Sequence, residues 1–460
     1  MDNWQGKRIV ILGAARQGLA LARFLARSGA QVTLNDQRPA EQLQAAIQSM
    51  QGLEVTWVLG EHPLALLDGC DLLAVSGGVP LTMPLVVEAI RRGIPVSNDS
   101  QVFMQSVPCR VVGITGSAGK TTTTTLLGRM AQAAIEAPRQ SWVGGNIGIP
   151  LIDHLHEIQA DDLVILELSS FQLELMTSVP QISAILNITP NHLDRHGTME
   201  AYSAAKARIL DYQKPGDVAV LNREDAGAWK LAGSVRGRLV SFGLRRPEPG
   251  QEGTFLDGEN ICLQSGATVR VLFPRSMVLL RGEHNLVNVL AACAIAHAAG
   301  MSAGDMLAGV NGFTGVAHRL EFVREWRGAR WYNDSIATAP ERTLAAIQSF
   351  DAPLVLLLGG RDKNLPWADL AATVHQRVDH VVVFGEAGEK IIQAMGSLKY
   401  GQRPFSLVQC AGLRDAVQAA ANLVEPGDVV LLSPGGTSYD EFRDFEERGE
   451  RFREWVHQLQ

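Results

Sequence analysis

A doubly wound α/β fold in three modules is predicted by three observations. Short β-branched apolar runs end in glycine, helical patterns stand between them, and glycine makes up 45 of the 460 residues. The runs are Ile9–Gly13, Leu72–Gly77, Val111–Gly116, Leu354–Gly359, Val381–Gly385 and Val429–Gly435. Segments that are apolar at nearly every position suit parallel strands covered on both faces. Helical patterns such as Gly18–Ser28 and Leu413–Val424 alternate with them, which is the order of βαβ units. Ligands of such sheets lie off the carboxyl ends of the strands, where these glycines fall.

Two changes of pattern divide the chain. Around Ser106-Val107-Pro108 one α/β unit ends and a glycine-rich strand begins; around Gly312–His318 a helix-rich stretch gives way to a fresh α/β run. The predicted domains are therefore 1–107, 108–315 and 316–460. The first and last read as Rossmann-like, and the middle one as a P-loop ATPase-type domain with a mostly parallel sheet. Arg245–Gly253 reads as a loop or hairpin inside the middle domain. Asp440–Gln460 mixes charges with Phe442, Phe445, Phe452 and Trp455 and is predicted as an amphipathic helix, its charges facing solvent.

Composition narrows the class. Hydrophobic residues are 46% and charged residues 19%, a globular balance and not a disordered one. A formal charge of −7 argues against non-specific binding to a nucleic-acid backbone. Five cysteines (Cys70, Cys109, Cys262, Cys293, Cys410) include no Cys-x-x-Cys pair, which fits reduced thiols in a cytoplasmic protein. The apolar run Ile9–Leu12 is too short for a signal core or a membrane span.

The most informative stretch is Val111-Val112-Gly113-Ile114-Thr115-Gly116-Ser117-Ala118-Gly119-Lys120-Thr121-Thr122. A strand running through a glycine-rich loop and Gly-Lys-Thr into a helix cradles phosphates on backbone N–H groups. Its lysine reaches the outer phosphates and its first hydroxyl holds Mg²⁺. The strict pattern wants glycine at Ile114; here the glycines stand at Gly113 and Gly116. Leu163–Glu167 is a buried-strand pattern ending in one carboxylate, about where a metal-binding acidic partner belongs.

His192 and His196 are four apart, a zinc spacing if helical, yet Leu193 replaces the glutamate of a zinc protease and Pro190 implies a loop. Lys206 follows Tyr202 by four residues, on the same face as Ile209 and Leu210. A lysine buried there loses proton affinity and becomes a neutral nucleophile; alternatively its stem packs while its head reaches solvent. The first loop, Gly13-Ala14-Ala15-Arg16-Gln17-Gly18, with Asp36 about 20 residues on, is similar to a dinucleotide fingerprint that lacks its middle glycine.

Taken in order, these stretches resemble the Mur ligase family over essentially the whole chain. Gly116–Thr122, Gly145–Gly148, Glu167–Leu173, Asn187–His196, Gly282–Asn288, Ala317–Glu321, Asn333–Ser335 and Leu358–Lys363 carry the likeness. Within the family, Glu167–Gln172 and the ending Ser433-Pro434…Ser438…Phe442…Phe445-Glu446 resemble the branch that adds D-glutamate.

The resemblance implies an ATP-dependent amide ligase of peptidoglycan synthesis, working in the cytoplasm as a monomer. UDP-N-acetylmuramoyl-L-alanine would be phosphorylated on its carboxylate and attacked by the amine of D-glutamate. Lys120, Glu167, His192 and Lys206 would be the catalytic set. Gly116, Ser117, Ala118, Gly119, Lys120, Thr121, Thr122, Asn288, Arg319 and Asp334 would bind ATP. Ala15, Arg16, Asp36, Ser76, Gly145, Asn146 and His192 would hold the UDP substrate, and Thr338, Lys363, Ser438 and Phe445 the glutamate. Two Mg²⁺ ions are implied, held by Thr121 and Glu167 and by His192 and a Lys206 carbamylated by CO₂.

Several positions depart from the family pattern. Ser117-Ala118 replaces Thr-Asn, Gly77-Gly78-Val79 replaces Pro-Gly-Ile, Asn191 stands where aspartate is common, and Ile336 where lysine is common. Some relatives add L-glutamate. Two other classes share single features: a P-loop switch or motor, which would hydrolyse ATP without acceptor or glutamate, and a nicotinamide dehydrogenase built on the first loop.

Overall fold

The computed structural model describes residues 4–280, 282–362, 365–398 and 400–460. They form two compact units, Met1–Phe313 and Thr314–Gln460.

The first unit holds two sheets. One has five parallel strands in the order Val55–Leu59, Gln31–Asp36, Arg8–Leu12, Leu72–Val75, Val96–Ser97. Ile9, Ile11 and Leu12 are at most 1% exposed, as expected for a strand covered on both faces. The second sheet has nine strands, with Arg110–Thr115 paired in parallel to Leu163–Glu167 on one side and to Ile182–Ile185 on the other. Its far edge, Gly253–Asp257, Asn260–Ser265 and Thr268–Pro274, is an antiparallel meander. One apolar core runs through both sheets, from Trp4 and Leu21 by way of Phe103 and Leu151 to Ile209 and Ala228.

The second unit has a six-stranded sheet, parallel except for the hairpin Glu321–Trp326 with Ala329–Asn333. Apolar cores cover both of its faces. The last helix is shorter than its composition suggests, spanning Phe445–Gln458, because Asp444 caps it by accepting from Glu447 N–H. Its charges do not all face solvent either. Arg448 is fully buried and donates to Ser335 Oγ, Ser335 O and Gly436 O. It sits four residues before Phe452, on the apolar stripe of the helix.

Among the described residues, no helix is long and apolar enough to cross a membrane.

Candidate active site

The phosphate loop starts where the strand Arg110–Thr115 ends. Gly119 has φ +81°, a left-handed turn that aims the helix Lys120–Ala134 back along the sheet. A Cβ there would also meet Asn288 Oδ1 at 2.3 Å, so Asn288 lies directly against the loop. Asn187 brackets Ala118, accepting its N–H at 2.8 Å and donating to its carbonyl at 3.1 Å. Ser117 Oγ lies 2.9 Å from Thr189 O and 3.0 Å from the Tyr202 hydroxyl. Thr121 and Thr122 occupy the first turn of the helix. Ile114, the position that breaks the strict glycine pattern, lies within the strand and is fully buried.

Parallel register sets Glu167 beside Ile114. Its carboxylate is 2% exposed and accepts from Thr121 Oγ1 and Asn146 Nδ2, each at 2.9 Å. A Cβ at Gly145 would meet Glu167 O at 2.3 Å; the bare backbone there lets the two strands end in close contact. This glutamate is a buried, doubly bonded group and not a solvated strand end.

The helix Met199–Asp211 brings Lys206 to the same point. Its side chain is 1% exposed, which excludes the solvent-reaching alternative. Nζ lies 2.9 Å from Gly116 O and 3.4 Å from Thr115 Oγ1, above the Tyr202 ring. Burial, and then the nearby Lys120 charge, push the amine down to about 7. Lys120 Nζ also donates to Gly116 O at 2.9 Å.

His192 is the N-cap of a four-residue helix, Leu193–His196, with φ +53°. Its ring meets the edge of Phe171, centroids 5.2 Å apart. The sequence pattern places His196 near His192, but the structure turns the His196 ring to Ser170, Phe171 and Glu174. Among the described residues, no three His, Cys, Asp or Glu side chains gather as a metal cluster.

The first loop is held from three sides. Gly18 has no room for a side chain, since a Cβ would lie 1.9 Å from Gly13 O. Ser76 Oγ donates to that same carbonyl at 3.1 Å. Asp36 accepts from Ala14 N–H at 2.8 Å and is gripped by Arg38. Burial raises the Asp36 carboxyl, but the hydrogen bonds from Arg38 and Ala14 outweigh it and hold it at about 2. Ala15 caps the helix that Arg16 begins, with Arg16 exposed. Gln17 Nε2 lies 3.5 Å from Gly145 O, which brings this loop to the Gly145-Asn146 turn.

In the second unit, Asp334 is buried and accepts from Ser433 Oγ at 2.8 Å and Leu320 N–H at 3.2 Å. Burial raises its carboxyl to about 6. Arg319 is exposed next to the left-handed residues His318 and Leu320. Gly435 N–H donates to Ala337 O, tying the Thr338 segment to the turn that leads into buried Ser438. Phe445 O accepts from Ser335 Oγ, and its ring meets His318 edge-on. Ile336 accepts at its carbonyl from Arg342 Nη1, 3.3 Å away. Lys363 lies outside the described residues.

Residues 114–296 match the Mur ligase middle domain, residues 318–436 the Mur ligase glutamate ligase domain, and residues 7–98 the MurD-like N-terminal domain. The chain belongs to the Mur ligase family. It is 39% identical over 457 residues to the UDP-N-acetylmuramoylalanine–D-glutamate ligase of Pelotomaculum thermopropionicum, covering 99% of this chain and 98% of that one. The enzyme of the same name from Geobacter metallireducens is 40% identical over 456 residues, with the same two coverages. Among solved structures, MurC of Thermotoga maritima superposes with a TM-score of 0.55 at 18% identity, covering 98% of this chain and 99% of that one. MurF of Acinetobacter baumannii gives 0.54 at 19%, covering 97% and 93%. At these identities the two structures speak for the fold.

Within this Mur ligase, sequence reasoning missed the partners of its own motifs. Asn187, Tyr202 and Thr115 contact the phosphate loop or Lys206 from 69 to 91 residues away. No local pattern marks such contacts.

Proposed function

We propose that this Mur ligase joins D-glutamate to UDP-N-acetylmuramoyl-L-alanine at the expense of ATP. The observation that carries the reading is the meeting of Lys120 and buried Lys206 on the carbonyl of Gly116, beside the Thr121–Glu167 hydrogen bond. Likeness of the whole chain to relatives named for that reaction supports it.

The donors suit Mg²⁺. A hydroxyl and a buried carboxylate are hard oxygen ligands, and Mg²⁺ takes few protein ligands, keeping waters and phosphate oxygens for the rest. In this reading Thr121 and Glu167 hold one ion, and His192 with a carbamylated Lys206 supports a second. Bound there, the cations supply charge neutralisation on the transferring phosphoryl group.

The chain's own groups do the rest. The helix N-terminus at Lys120 and the loop N–H groups bind the phosphates, and the Lys120 ammonium leaves its carbonyl contact to meet the outermost ones. The near-neutral Lys206 amine adds to the carbon of CO₂ and loses a proton, converting an amine into a carboxylate-like ligand. Gly13–Gly18, Asp36, Ser76, Gly145, Asn146 and His192 hold and orient the acceptor. Asn288, Arg319 and Asp334 grip ATP, and Thr338, Lys363, Ser438 and Phe445 receive glutamate. The acceptor carboxylate attacks the γ-phosphorus and releases ADP; the glutamate nitrogen then attacks the acyl carbon and releases phosphate. A plain carboxylate is a poor acyl donor, and phosphate is the better leaving group.

The reading assigns these tasks to domains 1–107, 108–315 and 316–460, in a cytoplasmic monomer that acts without nucleic acid or membrane. The test is ADP release with ATP, UDP-N-acetylmuramoyl-L-alanine and each glutamate enantiomer, with mass detection of the amide. Amide formed with D-glutamate is expected. ATP hydrolysis indifferent to acceptor and glutamate would overturn the reading in favour of a switch, and amide formed only with L-glutamate would overturn the stereochemistry.

A further inference from the structure

His196 is not accounted for by the chemistry above. Its side chain is 1% exposed, and both ring nitrogens are engaged. Nε2 lies 3.0 Å from Ser170 Oγ and Nδ1 3.1 Å from Glu174 Oε1. Nδ1 thus faces the carboxylate and Nε2 pairs with the Ser170 hydroxyl. The ring stacks on Phe171 at 5.1 Å between centroids and an interplanar angle of 4°, and packs at 5.2 Å against Tyr202.

Serine, histidine and glutamate in this order have the look of a nucleophilic triad. Ser170 is 2% exposed in the first turn of the helix Ser170–Leu173, so no reacting atom reaches it, and the arrangement is a fastening. What it fastens is specific. Phe171 receives His192 edge-on, His196 face-on and the Arg195 guanidinium at 4.3 Å. Three side chains from one loop therefore close on one ring, four residues past Glu167. Arg195 also donates to Val79 O at 2.6 Å. Meanwhile His192 has φ +53°, a conformation costly for a non-glycine residue and kept only where the surroundings enforce it.

We propose that His196 is a positioning residue for divalent-cation binding. Clamped on Ser170, Glu174 and Phe171, it anchors the short helix Leu193–His196, holds His192 at its head in the left-handed conformation and fixes it against the segment that carries Glu167. The proposal rests on the reading above in taking His192 and Glu167 as cation ligands.

The test is Mn²⁺ titration of the full chain with ADP, followed by electron paramagnetic resonance, alongside ligase kinetics. His196→Ala and Phe171→Leu should each weaken Mn²⁺ binding about tenfold, within the range for groups that orient a ligand. Both should lower kcat and leave KM for glutamate within twofold. His196→Gln, which restores one hydrogen bond but no stacked ring, should recover part of the loss. Wild-type Mn²⁺ affinity and kcat in a folded His196→Ala protein would overturn the proposal; if that variant fails to fold, Phe171→Leu decides by the same criterion. Should the wild-type chain make no amide while the variants still lose Mn²⁺, the ligase reading fails and the clamp stands.

Discussion

The Nζ atoms of Lys120 and Lys206 both lie 2.9 Å from a single acceptor, the carbonyl oxygen of Gly116. Burial first, and then repulsion by the neighbouring Lys120 charge, makes Lys206 give up its proton more readily than an ordinary lysine.

Removing that amine should remove turnover. Lys206→Ala is expected to lower kcat by about a hundredfold or more, given the several kcal/mol that charge stabilisation supplies in phosphoryl transfer. Formate or acetate should restore part of it by standing in for the proposed carbamate. Steady-state assays with and without the acids check this; full turnover in Lys206→Arg would exclude a carbamate.

Glu167→Gln keeps the shape that accepts from Thr121 and loses the charge. Half-saturating Mg²⁺ for the ligase reaction should rise at least about tenfold. ADP binding measured without a divalent cation should stay within about twofold, because the phosphate contacts proposed above are the loop N–H groups and Lys120.

Asp36 links the first loop to acid stability. Its folded carboxyl lies at about 2 against an ordinary 3.8. A carboxyl lowered on folding contributes stability that is complete above the unfolded value and is lost as pH falls through the folded one. The stability gap between wild type and Asp36→Asn, up to about 2 kcal/mol, should be constant above about pH 5 and close between about pH 4 and 2. Chemical denaturation across that range measures it; a gap that stays constant down to pH 2 would contradict the assignment.

Arg448 is a structural charge. Arg448→Met leaves the carbonyls of Ser335 and Gly436 without their buried donors and should cost about 2–4 kcal/mol. Arg448→Lys keeps the charge but not the planar fork, so it should regain only a part. Urea unfolding would show this, and an unchanged midpoint in Arg448→Met would refute it.

Much of this architecture was legible because parallel strands announce themselves. Ile9–Leu12, Leu354–Gly359 and Val429–Leu432 are apolar throughout, which suits a strand covered on both faces. Lys206 was legible by spacing, since a cation four residues after Tyr202 has to share its face. The same spacing marks Arg448 against Phe452, yet a stretch rich in arginine and glutamate reads as a wet surface, and composition hid the stripe. His196 was legible only as a neighbour of His192. Its partners Ser170 and Glu174 arrive from another element, and the left-handed turn at His192, which helps set both rings on Phe171, has no glycine to signal it. Asn187 at the phosphate loop was invisible for a related reason, because its contact depends on two strand ends meeting.

The hydroxyl of Thr121 spends its hydrogen on Glu167, and an alcohol oxygen so engaged still has lone pairs to offer. If a dication is held there as proposed, this oxygen and the buried carboxylate beside it are the two groups that would offer it lone pairs. Valine at this position would preserve the outline of the pair while taking away both the proton and the lone pairs.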